Sequence, residues 1–238
     1  MRRRRLIISV GLVVAFVALF LVGLGVMVKR VPGFYEQADI PPGDRRTDLS
    51  RQAYAQWFQG ARNLETREAV WEMSFTADQM NAYFQEDYNL HGGDDNLPEG
   101  FSAPRVKIED GKMRVGVRYG SGPTSTVLSL EVKMWLIENE INVLALEIVS
   151  LQAGSLPLST GTLLDYISQA ARRENIDITW YRNEGHPVAI MRFQADLTRP
   201  TFQFDRVELK DGKLTISGRS TDPVPTAPPP RAMPKVQP

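Results

Sequence analysis

Cysteine is absent from all 238 residues. A disulfide scaffold, a zinc–thiolate centre and a cysteine nucleophile are therefore excluded. Histidine is nearly absent as well. His91 sits in a glycine loop and His186 in the turn Glu184-Gly185-His186-Pro187; neither accompanies a GxSxG or SxxK serine motif. No GxGxxG or P-loop occurs, so nucleotide binding has no support. His91 with Asp94 and Asp95 matches neither HExxH nor the alternating acids of an EF-hand loop. No catalytic, cofactor-binding or metal-ligating set emerges, and the sequence reads as that of a non-enzyme. Acidic residues are missing from the first 30 positions, which hold six of the 28 basic ones. The remainder sets 22 basic against 28 acidic side chains, a net charge of −6. A nucleic-acid partner has no electrostatic footprint there.

What is present first is a membrane signal. Residues 6–28 carry no charge, and Ser9 is their only polar side chain. A helix of that length covers about 34 Å, enough to cross a hydrocarbon core of about 30 Å. The apolar run exceeds that of a cleaved signal peptide and ends in Val26-Met27-Val28-Lys29-Arg30, a poor cleavage site. It reads as an uncleaved signal-anchor. The four arginines at 2–5 outnumber Lys29 and Arg30, which puts the N-terminus in the cytoplasm of a bacterial cell and the bulk of the chain outside the inner membrane.

The chain divides into a cytoplasmic basic tip (1–5), the single-pass transmembrane helix (6–28), a Pro/Gly linker that lifts the domain off the membrane (29–48), an exported domain (49–220) and a Pro-rich tail (221–238). Seven prolines in the last 17 residues forbid helix and sheet, so the tail reads as disordered or polyproline-like. In the domain, Leu49, Ala53, Tyr54, Trp57 and Phe58 recur at helical spacing until Gly60. Thr76 is an N-cap for a helix over 77–85. Period-two alternation then predicts hairpins around Asp110-Gly111, Glu184-Gly185 and Asp211-Gly212, with a further helix over 160–173. The fold class is α+β: a transmembrane helix followed by a curved antiparallel meander packed with helices. One strand, 141–151, is apolar on both faces. Its second cover is either another protein layer or a bound apolar ligand.

Two stretches carry a resemblance. Met73-Ser74-Phe75-Thr76-Ala77-Asp78-Gln79-Met80-Asn81-Ala82-Tyr83-Phe84 and the region 129–220, with Gly154-Ser155-Leu156-Pro157-Leu158 entering a helix, resemble the YpmS-like family of bacterial single-pass membrane proteins. The pattern is also similar, more distantly, to bacterial tubular lipid-binding domains. That likeness implies a twisted sheet wrapped on a helix with a groove for acyl chains. No catalytic residue carries over. Asn81 matches the family's helix position, and its amide is expected to tie that helix to a neighbouring strand.

Two functions follow as expectations. One is a membrane-anchored binder of a lipid or other hydrophobic ligand, its groove built from Trp135, Ile137, Leu144, Leu146 and Ile148, the apolar set left over after the alternating core. The other is an envelope scaffold or assembly protein acting through protein contacts. The expected partners are the bilayer through 6–28, a lipid ligand or an envelope protein, with no cofactor.

Overall fold

The computed structural model describes residues 22–90, 97, 99–173, 176–193 and 200–222. The basic tip, the expected span up to residue 21, the loop tip at 91–95 and the tail beyond Asp222 lie outside the described residues. Residues 22–29 are helical. Among the described residues no helix is long and apolar enough to cross a membrane.

The chain continues with α1 (Gly33–Gln37), α2 (Asp44–Glu65), β1 (Val70–Thr76), α3 (Ala77–Gln85) and one turn, α4 (Asp87–Leu90). Then come β2 (Phe101–Glu109), β3 (Lys112–Tyr119), β4 (Thr126–Leu136), β5 (Val143–Ala153) and β6 (Leu156–Pro157). Helix α5 (Gly161–Arg173) precedes β7 (Asp177–Asn183), β8 (His186–Arg192), β9 (Phe202–Lys210) and β10 (Lys213–Ser220). The α+β class with antiparallel pairing is as expected from the sequence. The hairpins form at the three acid–glycine pairs, each a two-residue turn with both φ angles positive, the geometry that matches strand twist.

The single meander is not what forms. The described residues form two sheets: a large one in the order β2-β3-β4-β5-β8-β7, with β6 on β5, and a small one, β1-β10-β9. Strand β1, which precedes the meander, pairs along β10 from Val70↔Arg219 to Thr76↔Lys213, so the closing hairpin is taken out of the large sheet. The small sheet alternates cleanly. Glu72, Ser74, Thr215, Arg206 and Glu208 share its polar face, while Trp71, Phe75, Leu209 and Leu214 share the other. That apolar face meets the large sheet in a core of Ile108, Met113, Val132, Ile148 and Leu209. Met80 of α3 and Leu163, Leu164 and Ile167 of α5 pack on the same core.

Helix α3 starts with a complete capping box: Gln79 N–H donates to Thr76 Oγ1 at 3.0 Å and Thr76 N–H to Gln79 Oε1 at 2.9 Å. Asn81 is buried and bonds Val106 twice, its Nδ2 donating to the carbonyl at 2.8 Å and its Oδ1 accepting from the N–H at 2.7 Å. It thus ties α3 to β2, the role expected of it.

Two expectations fail here. The segment 29–48 is not a free linker. Tyr35 is 1% exposed and lies over Gly116 of β3, where a Cβ would come within 2.6 Å of its ring. Its hydroxyl donates to Ala103 O at 2.6 Å, and the Arg105 guanidinium sits 4.5 Å from the ring centroid. Arg105 also donates to Tyr35 O and Asp39 Oδ1, each at 2.7 Å. Helix α2, moreover, begins inside that segment, runs through Gly60, and turns the three aromatics of its expected apolar stripe outward. It packs through Ser50, Ala53 and Gly60, small residues that permit close approach; a Cβ on Gly60 would lie 1.9 Å from Met73 Sδ. Tyr54, Trp57 and Phe58 are left 50%, 65% and 58% exposed.

Candidate apolar binding site

The register of the large sheet decides which apolar side chains share a surface. Directly paired residues point to the same face. Leu144, Leu146 and Ile148 pair with Leu136, Met134 and Val132 on the inner face, the one carrying the core. Trp135 pairs with Ala145 on the outer face, and Ile137, two residues on, has the same parity. The five residues expected to form one groove are therefore split between two faces. Ile148 belongs to the sealed core at 1% exposed, and Leu146 packs against that core.

The strand that looked apolar on both faces also has a local explanation. Glu131 pairs with Ser150 and Val132 with Ile148, so Val149 is an extra residue, a β-bulge that reverses parity. Inward positions are 144, 146 and 148 before it, and 151 and 153 after it. On the outer face Val143 and Ala145 are buried beside Trp135 and Ile190, their neighbours in the register.

The inner face is not uniformly sealed. The rung Met113–Val132–Ile148 is buried beneath the small sheet's Leu209. The next rungs along β3, β4 and β5 are Val115–Leu130–Leu151 and Val117–Leu128–Ala153. Val115, Leu130, Leu151, Val117 and Leu128 are only half-buried, and Tyr119, on the same face, is 47% exposed. Helix α3 flanks this trough at β2 through Asn81. Helix α5 lies on the other side of the sealed rung, over β7, where Trp180, in line with Ala189 and Leu146, donates from Nε1 to Ser168 Oγ at 2.8 Å. Sequence reading assigned the trough residues to ordinary alternating core; nothing in their alternation signals where a covering layer ends.

The shallow end of the trough lies where the N-terminal helical segment joins the domain. Ser155 donates to Met27 O through its N–H at 2.9 Å and its Oγ at 3.1 Å. Thr126 Oγ1 donates to Val28 O, and Lys29 Nζ to Pro123 O. Gly154, with φ +60, has no room for a Cβ: one would lie 2.3 Å from Val28 O.

The outer face is polar where the trough is not. A concavity of about 300 Å³ beneath α1 is lined by Pro32, Phe34, Arg114, Ser129, Glu131 and Gln152. Burial pushes Glu131 up, but donation from Lys112 Nζ at 2.9 Å and Arg114 Nε at 2.6 Å outweighs it and holds the carboxyl below the ordinary glutamate value. Further along, His186 stands just past the Glu184-Gly185 turn, its side chain 40% exposed. It opens β8 with Nδ1 2.7 Å from buried Glu147 Oε1, and Lys133 Nζ stands 3.9 Å from the other oxygen. Each oxygen of this buried side chain thus faces a polar nitrogen. Among the described residues no three His, Asp or Glu side chains gather to hold a metal ion.

No protein-family model, curated protein or solved structure matches the chain, so the resemblance to the YpmS-like family rests on its residue motifs.

Proposed function

We propose that this protein is a non-catalytic, membrane-anchored domain on the outer side of a bacterial inner membrane, and that it holds the apolar chain of a lipid or similar ligand in the trough on the inner face of the large sheet. The observation that carries the reading is the burial gradient. The rungs run from sealed at Met113–Val132–Ile148 to half-open at Val117–Leu128, and they open at the end where the N-terminal helix joins the domain. Half-buried aliphatic rows beside α3 offer an acyl chain about 25 cal/mol per Å² of surface withdrawn from water. With residues 6–28 as the anchor, that end faces the bilayer.

The test is photo-crosslinking of the full chain in nanodiscs doped with a diazirine-bearing phospholipid. Adducts are expected on peptides containing Val117, Leu128 and Leu130, and a Leu130→Glu variant should lose them while keeping adducts on 6–28. Adducts confined to 6–28 in the parent protein would overturn the reading.

A second reading, an envelope scaffold or assembly protein, is favoured by one specific surface. On the outer face of the large sheet Trp135 and Tyr181 stand exposed on either side of Ile190. Such a patch suits a protein partner. On that reading Trp135→Ala abolishes co-purification of the partner and leaves lipid adducts unchanged.

A further inference from the structure

A polar cleft lies on the outer face of the large sheet, opposite the trough. Its floor is two successive rungs, Arg114–Glu131–Ser150 and Gly116–Ser129–Gln152. Its roof is the stretch from Arg30 into α1. The concavity of about 300 Å³ over these rungs shares Pro32, Gly33 and Gln152 with a second of about 430 Å³, which continues past Glu36 to Arg30 and Gly154. The two therefore form one channel, and it ends where the N-terminal helix ends. The roof is held in place by the protein itself. Tyr35 is fixed over Gly116 by its bond to Ala103 O at 2.6 Å and by Arg105, and the Phe34 ring meets it edge-on with centroids at 6.5 Å. Walls set in advance spare a ligand the cost of ordering them.

The side chains narrow what fits. Lys112, Arg114 and Arg30 face two carboxylates, Glu131 and Glu36, which leaves one positive charge in surplus. Arg114 gives only its Nε to Glu131, so its Nη groups can meet a ligand oxygen. Arg30 makes no ion pair among the described residues. Among the same residues the Ser129 and Ser150 hydroxyls and the Gln152 amide meet no protein partner. Ser129 is 8% exposed, so its hydroxyl reaches little besides what enters the cleft. Each of these three groups both donates and accepts, which matches ligand hydroxyls better than a bare carboxylate or ammonium. Pro32 and Phe34 offer an apolar wall to the carbon side of such a ligand. One negative charge together with several hydroxyls is the chemistry of a phosphodiester joined to a polyol.

We propose that the cleft binds a phosphodiester-linked polyol, a glycerol or sugar unit, with the phosphate at Arg30 and the hydroxyls over Ser129, Ser150 and Gln152. An anionic phospholipid headgroup and a soluble glycerol phosphodiester share this chemistry. The site stands whether or not the trough holds an acyl chain, because the sheet separates the two.

The experiment is calorimetric titration of glycerophosphoglycerol into the full chain in phosphatidylcholine nanodiscs, with inorganic phosphate and glycerol titrated separately. Saturable binding of the diester is expected, about tenfold or more tighter than either component. Gln152→Leu and Ser150→Ala remove groups that bond nothing else in the protein, so both should keep the parent's urea midpoint while losing about tenfold in affinity. Nanodiscs containing phosphatidylglycerol separate the two sources. A headgroup in the cleft abolishes the heat and slows amide exchange over 30–37 and 150–155; unchanged heat and exchange identify the soluble diester. Inorganic phosphate binding as tightly as the diester would mean an adventitious ion only and overturns the proposal. Diester binding that both variants retain in full overturns it as well. So does an absence of heat in phosphatidylcholine discs combined with unchanged exchange in phosphatidylglycerol discs.

Discussion

Helices α2 and α3 pack against each other, yet they distribute their side chains in opposite ways. Helix α3 takes polar groups inside: Gln79 and Asn81 are buried, and each has its amide satisfied, by the capping box and Gln52 for one and by Val106 for the other. Helix α2 leaves three aromatics outside and buries serine, alanine and glycine. Hydropathy alone would place both sets the other way round. A polar side chain is stable inside where every hydrogen-bonding group meets a partner. An apolar one stays outside where the neighbouring surface leaves room only for small residues. Where the buried face of a helix is its small-residue face, its large aromatics are carried on the exposed side.

Three changes test this contrast. Asn81→Ala should have the largest effect, because it orphans both the N–H and the carbonyl of buried Val106. A loss of about 3 kcal/mol is expected in urea denaturation, and a loss under about 1 kcal/mol would mean that Asn81 does not hold α3 to β2. Glu131→Gln asks the same question of a charged group. The Glu131 carboxyl is held below its ordinary value in the folded protein, so its stabilisation is complete above the ordinary glutamate pKa and is lost as pH falls through the lowered one. The variant should therefore melt lower than the parent at neutral pH, with the gap closing below about pH 4. A gap that persists into acid would locate the loss in packing instead. The smallest effect is expected for Trp57→Ala combined with Phe58→Ala, within about 0.5 kcal/mol, since both side chains are more than half exposed. A larger destabilisation would make the aromatic stripe part of the domain's own packing and erase the contrast.

Much of the local structure was legible in the residues. The acid–glycine pairs specify three hairpins, Thr76 with Gln79 specifies the start of α3, and Asn81 can be assigned its tie to a strand. What was not legible depends on pairing across long sequence separations. Strand β1 meets β10 more than a hundred residues away, and this alone splits the expected meander into two sheets. The bulge at Val149 is set by how β5 lies on β4. Without it, strict alternation carried past Ile148 assigns residues to the wrong face. The five proposed groove residues mixed inner and outer positions because alternation within β4 and within β5 does not say which sets share a face; only the pairing of Trp135 with Ala145 does. Tyr35 looked like a linker residue because its pocket is made by Gly116 and Arg105, some 70 to 80 positions downstream. The trough was missed for a related reason: a strand's alternation says which side is apolar, and the covering layer is contributed by other segments.

The junction between the N-terminal helix and the domain has a mechanical consequence. Carbonyls of Met27 and Val28 are gripped by Ser155 and Thr126, Lys29 reaches Pro123, and Gly154 leaves no gap for slippage. A tether of that kind has little compliance. If residues 6–28 anchor the chain as proposed, the domain does not explore a hemisphere above the bilayer but inherits the orientation of that anchor. Strand β4 rises from this junction for 11 residues, about 36 Å, so a helix tilt of about 20° would swing its far end by about 12 Å. Bilayer thickness, which sets tilt, would thereby set how far the domain leans and which of its surfaces meets a neighbour.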